Sequence, residues 1–208
     1  MERVLANPII PGFAPDPSVV FVDGTYSSSN RRFISQGGLY APSIRYHKGA
    51  FYIVCTNVIH KSELPSLENE FHNFILTTDN IWANQWSDPI FYAFFGIDTS
   101  LFWDDGNRAY LIGSASPALE TKIRQFDIDL KTGKKLSEEK LLWEGITKVF
   151  PEGPHMYKKD GWYYLLIAEG GCFADHHTIM ARSKSIWGPF KVNLENLVMG
   201  KTDPNEYI

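Results

Sequence analysis

Three acidic residues recur beside short strand-forming runs: Asp16 in APDPSVVFVDG, Asp98 in GIDTSLFWDDG and Glu152 in PEGPHMYKKDG. Asp16 stands eight residues before Gly24, Asp98 eight before Gly106, and Glu152 nine before Gly161. A fourth copy, APSIRYHKGAFYIV, has Ala41 eight before Gly49 and lacks the acid. Repeat architectures bring equivalent positions together around one axis, so carboxylates distant in sequence can face one pocket. Three converging carboxylates suit hydrolysis at the anomeric carbon of a sugar. One ionised group activates water, a protonated one delivers a proton to the departing oxygen, and a third charge raises the pKa of the acid. In that division Asp16 is the base, Glu152 the acid and Asp98 the modulator. Plainer readings stand beside these: Asp16 between two prolines fits a turn, and Asp98 fits a strand start. Glu152 is harder to read that way, because glutamate is a poor turn former.

The elements that must position these acids follow from the same glycines. An aromatic and aliphatic run comes after three of them, FYIVC at 51–55, AYLIG at 109–113 and WYYLLIA at 162–168. Each copy therefore reads as strand, tight turn, strand. Further strand pairs are legible in NFILTTDNIWANQWSDPIFY, KIRQFDIDLKTGKKLSEEKLLWEG and TIMARSKSIWGPFKV. Gly49 to Gly106 is 57 residues and Gly106 to Gly161 is 55, the length of a four-stranded propeller blade. Gly24 to Gly49 is only 25, so part of the first unit is expected to be missing, with the polar stretch SSSNRRFISQGG, a poor strand, in its place. Helix-period segments with caps are absent. The expected fold is all-β in one domain over 1–208: a truncated blade at 1–33, blades at 34–95 and 96–147, and a further blade with a stub at 148–208. The polar loop HKSELPSLENEFHN interrupts the second unit and is a candidate rim loop.

Composition excludes several classes of partner. The net charge of -4 and scattered Lys and Arg argue against nucleic acid. No apolar stretch is long enough to span a bilayer, and MERVLANPIIPGF lacks the apolar core of a signal peptide. The chain as written is expected to be cytoplasmic, whereas a signal upstream of it would make it secreted. Cys55 and Cys172 lack metal-ligand spacing. His176 and His177 are adjacent, so on a strand they point to opposite faces and do not share a metal. In DIDLKTGKK, Lys131 falls on the third ligand position of a calcium loop, so a hairpin turn is expected. No metal and no cofactor are expected. Phe13, Tyr40 and Trp103 lie beside the motifs and could stack on a sugar ring, although strand cores use the same residues; Phe13 and Tyr40 are singled out.

Taken together, GFAPDPS, LYAPSIRYHKGAFYIVCTNV, GIDTSLFWDDG, EGPHMYKK and TIMARSKSIWGPF resemble glycoside hydrolase family 43 over about Asn7 to Phe190. That resemblance implies a five-bladed β-propeller with β-xylosidase or α-L-arabinofuranosidase activity. It implies that Asp16 is the general base, that Glu152 is the general acid and that Asp98 tunes pKa and orients substrate. It also implies inversion at the anomeric centre, with base and acid roughly 6.5–9.5 Å apart. His155 and His176 fall in family-like motifs and would line the sugar pocket. The chain departs from the family between Tyr26 and Phe33, where the rest of the first blade and an aromatic pocket wall are missing. It also stops before a fifth inner strand. An incomplete propeller is therefore expected, with a partial first blade, no closing fifth blade and exposed sheet edges. The expected ligand is a small xylo- or arabino-oligosaccharide, turned over poorly, with no nucleic-acid or membrane partner and the oligomeric state open. The competing reading is a non-catalytic carbohydrate-binding or scaffold fragment.

Overall fold

The computed structural model describes residues 18–22, 25–29, 38–59, 70–83, 85–115, 121–171 and 176–200. Within them the chain forms fourteen strands and one short 3₁₀ turn at Ile81–Ala83. A hairpin of β1 (Ser18–Val22) and β2 (Thr25–Ser29) is followed by three antiparallel four-stranded meanders. The first comprises β3 (Gly38–His47), β4 (Ala50–Ile59), β5 (Glu70–Thr78) and β6 (Ile90–Tyr92). The second comprises β7 (Gly96–Trp103), β8 (Ala109–Ala115), β9 (Lys122–Asp127) and β10 (Lys140–Trp143). The third comprises β11 (Glu152–Lys159), β12 (Trp162–Glu169), β13 (His177–Ser183) and β14 (Lys191–Gly200). Successive first strands lie against one another, β1 on β3, β3 on β7 and β7 on β11. Four-stranded meanders arranged around their first strands are the blades of a propeller.

Local sequence explains the hairpins. Lys48 and Gly49 both adopt positive φ between β3 and β4, as do Asp160 and Gly161 between β11 and β12. A two-residue turn of that hand matches the twist of the strands it joins, and glycine reaches it without strain. At the sharp corner between β7 and β8, Asp104 Oδ1 instead accepts from the Arg108 backbone N–H at 2.8 Å.

Strand alternation then fixes the packing. On β8, Leu111 faces a core shared with Val54 and Ile75 of the first meander and Phe94 of the link from β6 to β7, whereas Ile112 faces one shared with Met156, Leu165 and Ile167 of the third. Consecutive residues on a strand point to opposite faces, so the middle sheet is buried on both sides. Burying one such Leu or Ile contributes about 1.5–3 kcal/mol. Polar bridges tie the sheets near the hub. Tyr92 Oη and Thr99 Oγ1 lie 2.7 Å apart, Ser100 Oγ donates to Pro154 O at 2.6 Å, and Ser114 Oγ donates to Pro151 O at 2.8 Å. Gly96, the first residue of β7, has no room for a side chain: a Cβ there would meet Ser114 O at 2.2 Å.

Two sequence expectations need correction. Ser27–Ser29, read as part of a poor strand, belong to β2, which pairs with β1 in the register Phe21↔Tyr26 and Ser18↔Ser29. A polar segment can complete a hairpin because the ladder uses only backbone groups. The loop read as running through Asn73 ends earlier, since Glu70 already opens β5 opposite Ile59.

Candidate active site

The first strand of each of the three meanders is interrupted by a bulge at the same place. Pairing slips between Tyr40 and Ser43 on β3, between Ile97 and Ser100 on β7, and between Glu152 and His155 on β11. In each slip one residue takes positive φ: Ala41 (38°), Asp98 (56°) and Gly153 (57°). These are the true repeat equivalents, each eight residues before its turn glycine. Glu152 stands one residue ahead of that position, which accounts for its spacing of nine. A bulge re-aims the side chains beside it and recurs at the rims of active sites. Aspartate is among the few side chains that tolerate this backbone region.

The three bulges surround one cavity of about 270 Å³. β3 contributes Ala41, Pro42 and Ser43, and β7 contributes Asp98 and Thr99. β11 contributes Glu152, Gly153 and His155, with Ala168 of β12 and His176, just ahead of β13, completing the wall. Asp98, Glu152, His155 and His176 are thus brought together from two sheets. Tyr40 is not among the lining residues; its carbonyl accepts from the Cys55 thiol at 3.4 Å. Trp103 packs between sheets, stacked on His47 at 4.4 Å. Asp16, Phe13 and Cys172 lie outside the described residues.

Hydrogen bonds fix the polarity of this wall. Asp98 Oδ2 accepts from the Gly153 backbone N–H at 3.1 Å, joining the two bulges that carry the acids. His176 Nδ1 lies 2.6 Å from Gly171 O, and since a carbonyl only accepts, Nδ1 carries a proton. His155 Nδ1 lies 2.6 Å from Arg45 Nη2. Burial pushes the His155 imidazole down to about 3, and the Arg45 charge acts in the same direction, so the ring is neutral. Behind the wall, burial pushes the Cys55 thiol up to about 12, leaving it protonated and inert. Among the described residues no cluster of three or more His, Cys, Asp or Glu is fit to hold a metal.

Sequence reasoning missed three residues here. Ser43 and Arg45 stand at alternate positions on β3 just beyond the bulge, so period-two counting from Ser43 places them on one face. The third is Glu169, fully buried at the end of β12. Its carboxylate accepts from Trp143 Nε1 at 2.7 Å, the backbone N–H groups of Ile146 and Thr147 at 2.9 and 3.1 Å, and Thr147 Oγ1 at 3.0 Å. It therefore holds the segment that feeds into β11 immediately before Glu152.

Residues 27–208 match the family profile of Glycosyl hydrolases family 43. The chain belongs to that family. A xylosidase/arabinosidase 43B of Humicola insolens is 31% identical to it, covering 95% of this chain and 43% of that protein. A xylan 1,3-beta-xylosidase of a Vibrio species is 30% identical, covering 96% and 44% respectively. The crystal structure of xylan beta-1,4-xylosidase from Bacillus halodurans C-125 superposes with a TM-score of 0.79 at 31% identity, covering 93% of this chain and 44% of that one. This family 43 chain therefore spans less than half the length of each of these three relatives. The alignment to the Humicola protein runs over 237 positions against a chain of 208 residues, so that relative carries residues within the aligned span that this chain lacks. The all-β meanders are part of a family 43 propeller.

Proposed function

We propose that this chain carries the catalytic wall of a glycosidase that hydrolyses O-glycosyl bonds of xylosides or arabinosides in a single inverting step. The observation that carries the reading is the convergence of Asp98 and Glu152, from two sheets, on one cavity in a family 43 chain. In the proposed step the Asp16 carboxylate takes a proton from water as the water oxygen attacks the anomeric carbon. The glycosidic C–O bond breaks on the opposite face, and the Glu152 carboxyl delivers its proton to the departing oxygen. Asp98, anchored by the Gly153 N–H, supplies a negative charge that keeps Glu152 protonated until that moment. The names of the relatives, xylosidase/arabinosidase and xylan 1,3-beta-xylosidase, support a small pentose-containing oligosaccharide as ligand. The residues that those relatives carry and this chain lacks support weak sugar binding and slow turnover.

Release of chromophore from aryl β-D-xyloside and aryl α-L-arabinofuranoside tests the reading, with Glu152→Ala as control. Removing the general acid is expected to lower turnover by about 10²-fold or more. Equal release by both proteins would remove the hydrolase, while saturable sugar binding without release would leave a carbohydrate-binding fragment.

A further inference from the structure

Arg45 and His155 are 110 residues apart in sequence and belong to β3 and β11, which are not neighbours in any sheet. Each borders β7, so their contact crosses the hub behind the cavity wall. A guanidinium has only donors and keeps its proton in proteins, so His155 Nδ1 is the acceptor of this 2.6 Å bond. A neutral imidazole that accepts at Nδ1 carries its hydrogen on Nε2.

We propose that Arg45 is a positioning residue that locks the His155 ring in its Nε2–H form, giving the cavity a standing hydrogen-bond donor for a hydroxyl oxygen of the sugar. The choice of a sugar rests on the glycosidase reading; the locking of the ring does not. Arg45 is itself held, with Nη1 donating to Ile44 O at 3.1 Å and its guanidinium 5.8 Å from the centre of the Tyr157 ring. Among the described residues, the charged and titratable groups around His155 are Arg45 of β3, Asp98 of β7, Glu152 and Tyr157 of its own strand, and His176 ahead of β13. His176 has the opposite arrangement. Its Nδ1–H is spent on Gly171 O, so in the neutral ring Nε2 is an acceptor. One imidazole that donates and one that accepts match a hydroxyl, which does both.

The test is long-range ¹H–¹⁵N correlation on the full chain carrying ¹⁵N-histidine, with D-xylose titrated into the same samples. In the unmodified chain, His155 Nδ1 is expected to resonate as an unprotonated nitrogen and Nε2 as a protonated one, unchanged from about pH 8 to about pH 5. Arg45→Met is expected to release the ring to a mixture of tautomers that protonates at higher pH, and to weaken xylose binding about tenfold, the worth of one hydrogen bond. Should Arg45→Met fail to fold, scalar coupling between the Arg45 Nη and His155 Nδ1 nitrogens, in the unmodified chain labelled with ¹⁵N at arginine as well as histidine, is the second readout. Its presence supports the lock, and its absence overturns it. A tautomer that survives Arg45→Met overturns the proposal whether or not aryl glycosides are cleaved. Xylose binding that is undetectable, or equal in both proteins, overturns the sugar contact. A locked ring in a chain that cleaves no glycoside removes the hydrolase reading and leaves the positioning role standing.

Discussion

Ser43 and Ser100 occupy matching places, two residues beyond the positive-φ positions Ala41 and Asp98, and have opposite fates. Ser100 Oγ donates to Pro154 O of the next sheet. Ser43, only 3% exposed, lines the cavity, and its Oγ has no partner among the described residues. A buried hydroxyl without a partner costs about 1–3 kcal/mol of desolvation. Ser43→Ala is therefore expected to leave Tm unchanged or a few degrees higher, and Ser100→Ala to lower it by roughly 2–8 °C, both read by thermal circular dichroism. A Ser43→Ala loss as large as that of Ser100→Ala would show that the hydroxyl is satisfied in the folded chain. Asp98 and Glu152 were legible as residue types beside repeated glycines, and both line one cavity. The offset between them was not. Glu152 reads as the equivalent of Asp98 until the backbone shows that Gly153 holds the bulge position, and φ is invisible to motif matching.

At the scale of elements, strands and turns were readable because alternation, β-branched residues and Lys-Gly or Asp-Gly turns all point to the same hairpins. Polar anchors such as Glu169 were not readable, because a buried glutamate is defined by donors that the fold brings to it. That carboxylate constrains a segment in which Lys148 and Phe150 take positive φ at 58° and 42°. Residues outside the favoured regions persist only where surrounding contacts hold them. Glu169→Gln replaces one acceptor oxygen with an NH₂ that faces N–H donors. It is expected to destabilise the chain by about 1–3 kcal/mol in urea titration. It is also expected to lower kcat more than it raises KM, because the strand that carries Glu152 loses its tether. An unchanged urea midpoint would show that the segment is held by other contacts.

Across the whole molecule, the propeller fold was legible because strand-turn-strand units recur at blade spacing, and the family because motifs such as GFAPDPS, GIDTSLFWDDG and EGPHMYKK resemble it. The coupling between sheets was less so. The core contacts of Leu111 and Ile112 on either side of β8, and the Arg45–His155 contact across the hub, depend on which faces meet. One consequence is acid sensitivity. Unfolded, His155 takes its proton near the ordinary value of about 6.5, whereas in the folded chain it waits until about 3. Between those limits the unfolded state binds more proton, so stability falls as pH falls, by up to about 1.4 kcal/mol per pH unit. His155→Gln is expected to flatten the fall between about pH 6 and pH 4 in urea titrations, and an undiminished slope would place the acid sensitivity elsewhere.

In the proposed mechanism Asp98 and Glu152 act on each other inside one cavity. The pH dependence of aryl glycoside cleavage measures this directly, because the alkaline limb reports loss of the proton from the general acid. With Asp98→Asn the neighbouring negative charge is gone, Glu152 ionises more readily, and the limb is expected to move to lower pH by roughly one unit. An alkaline limb that stays where it was in the unmodified chain would show that Asp98 does not govern the ionisation of Glu152.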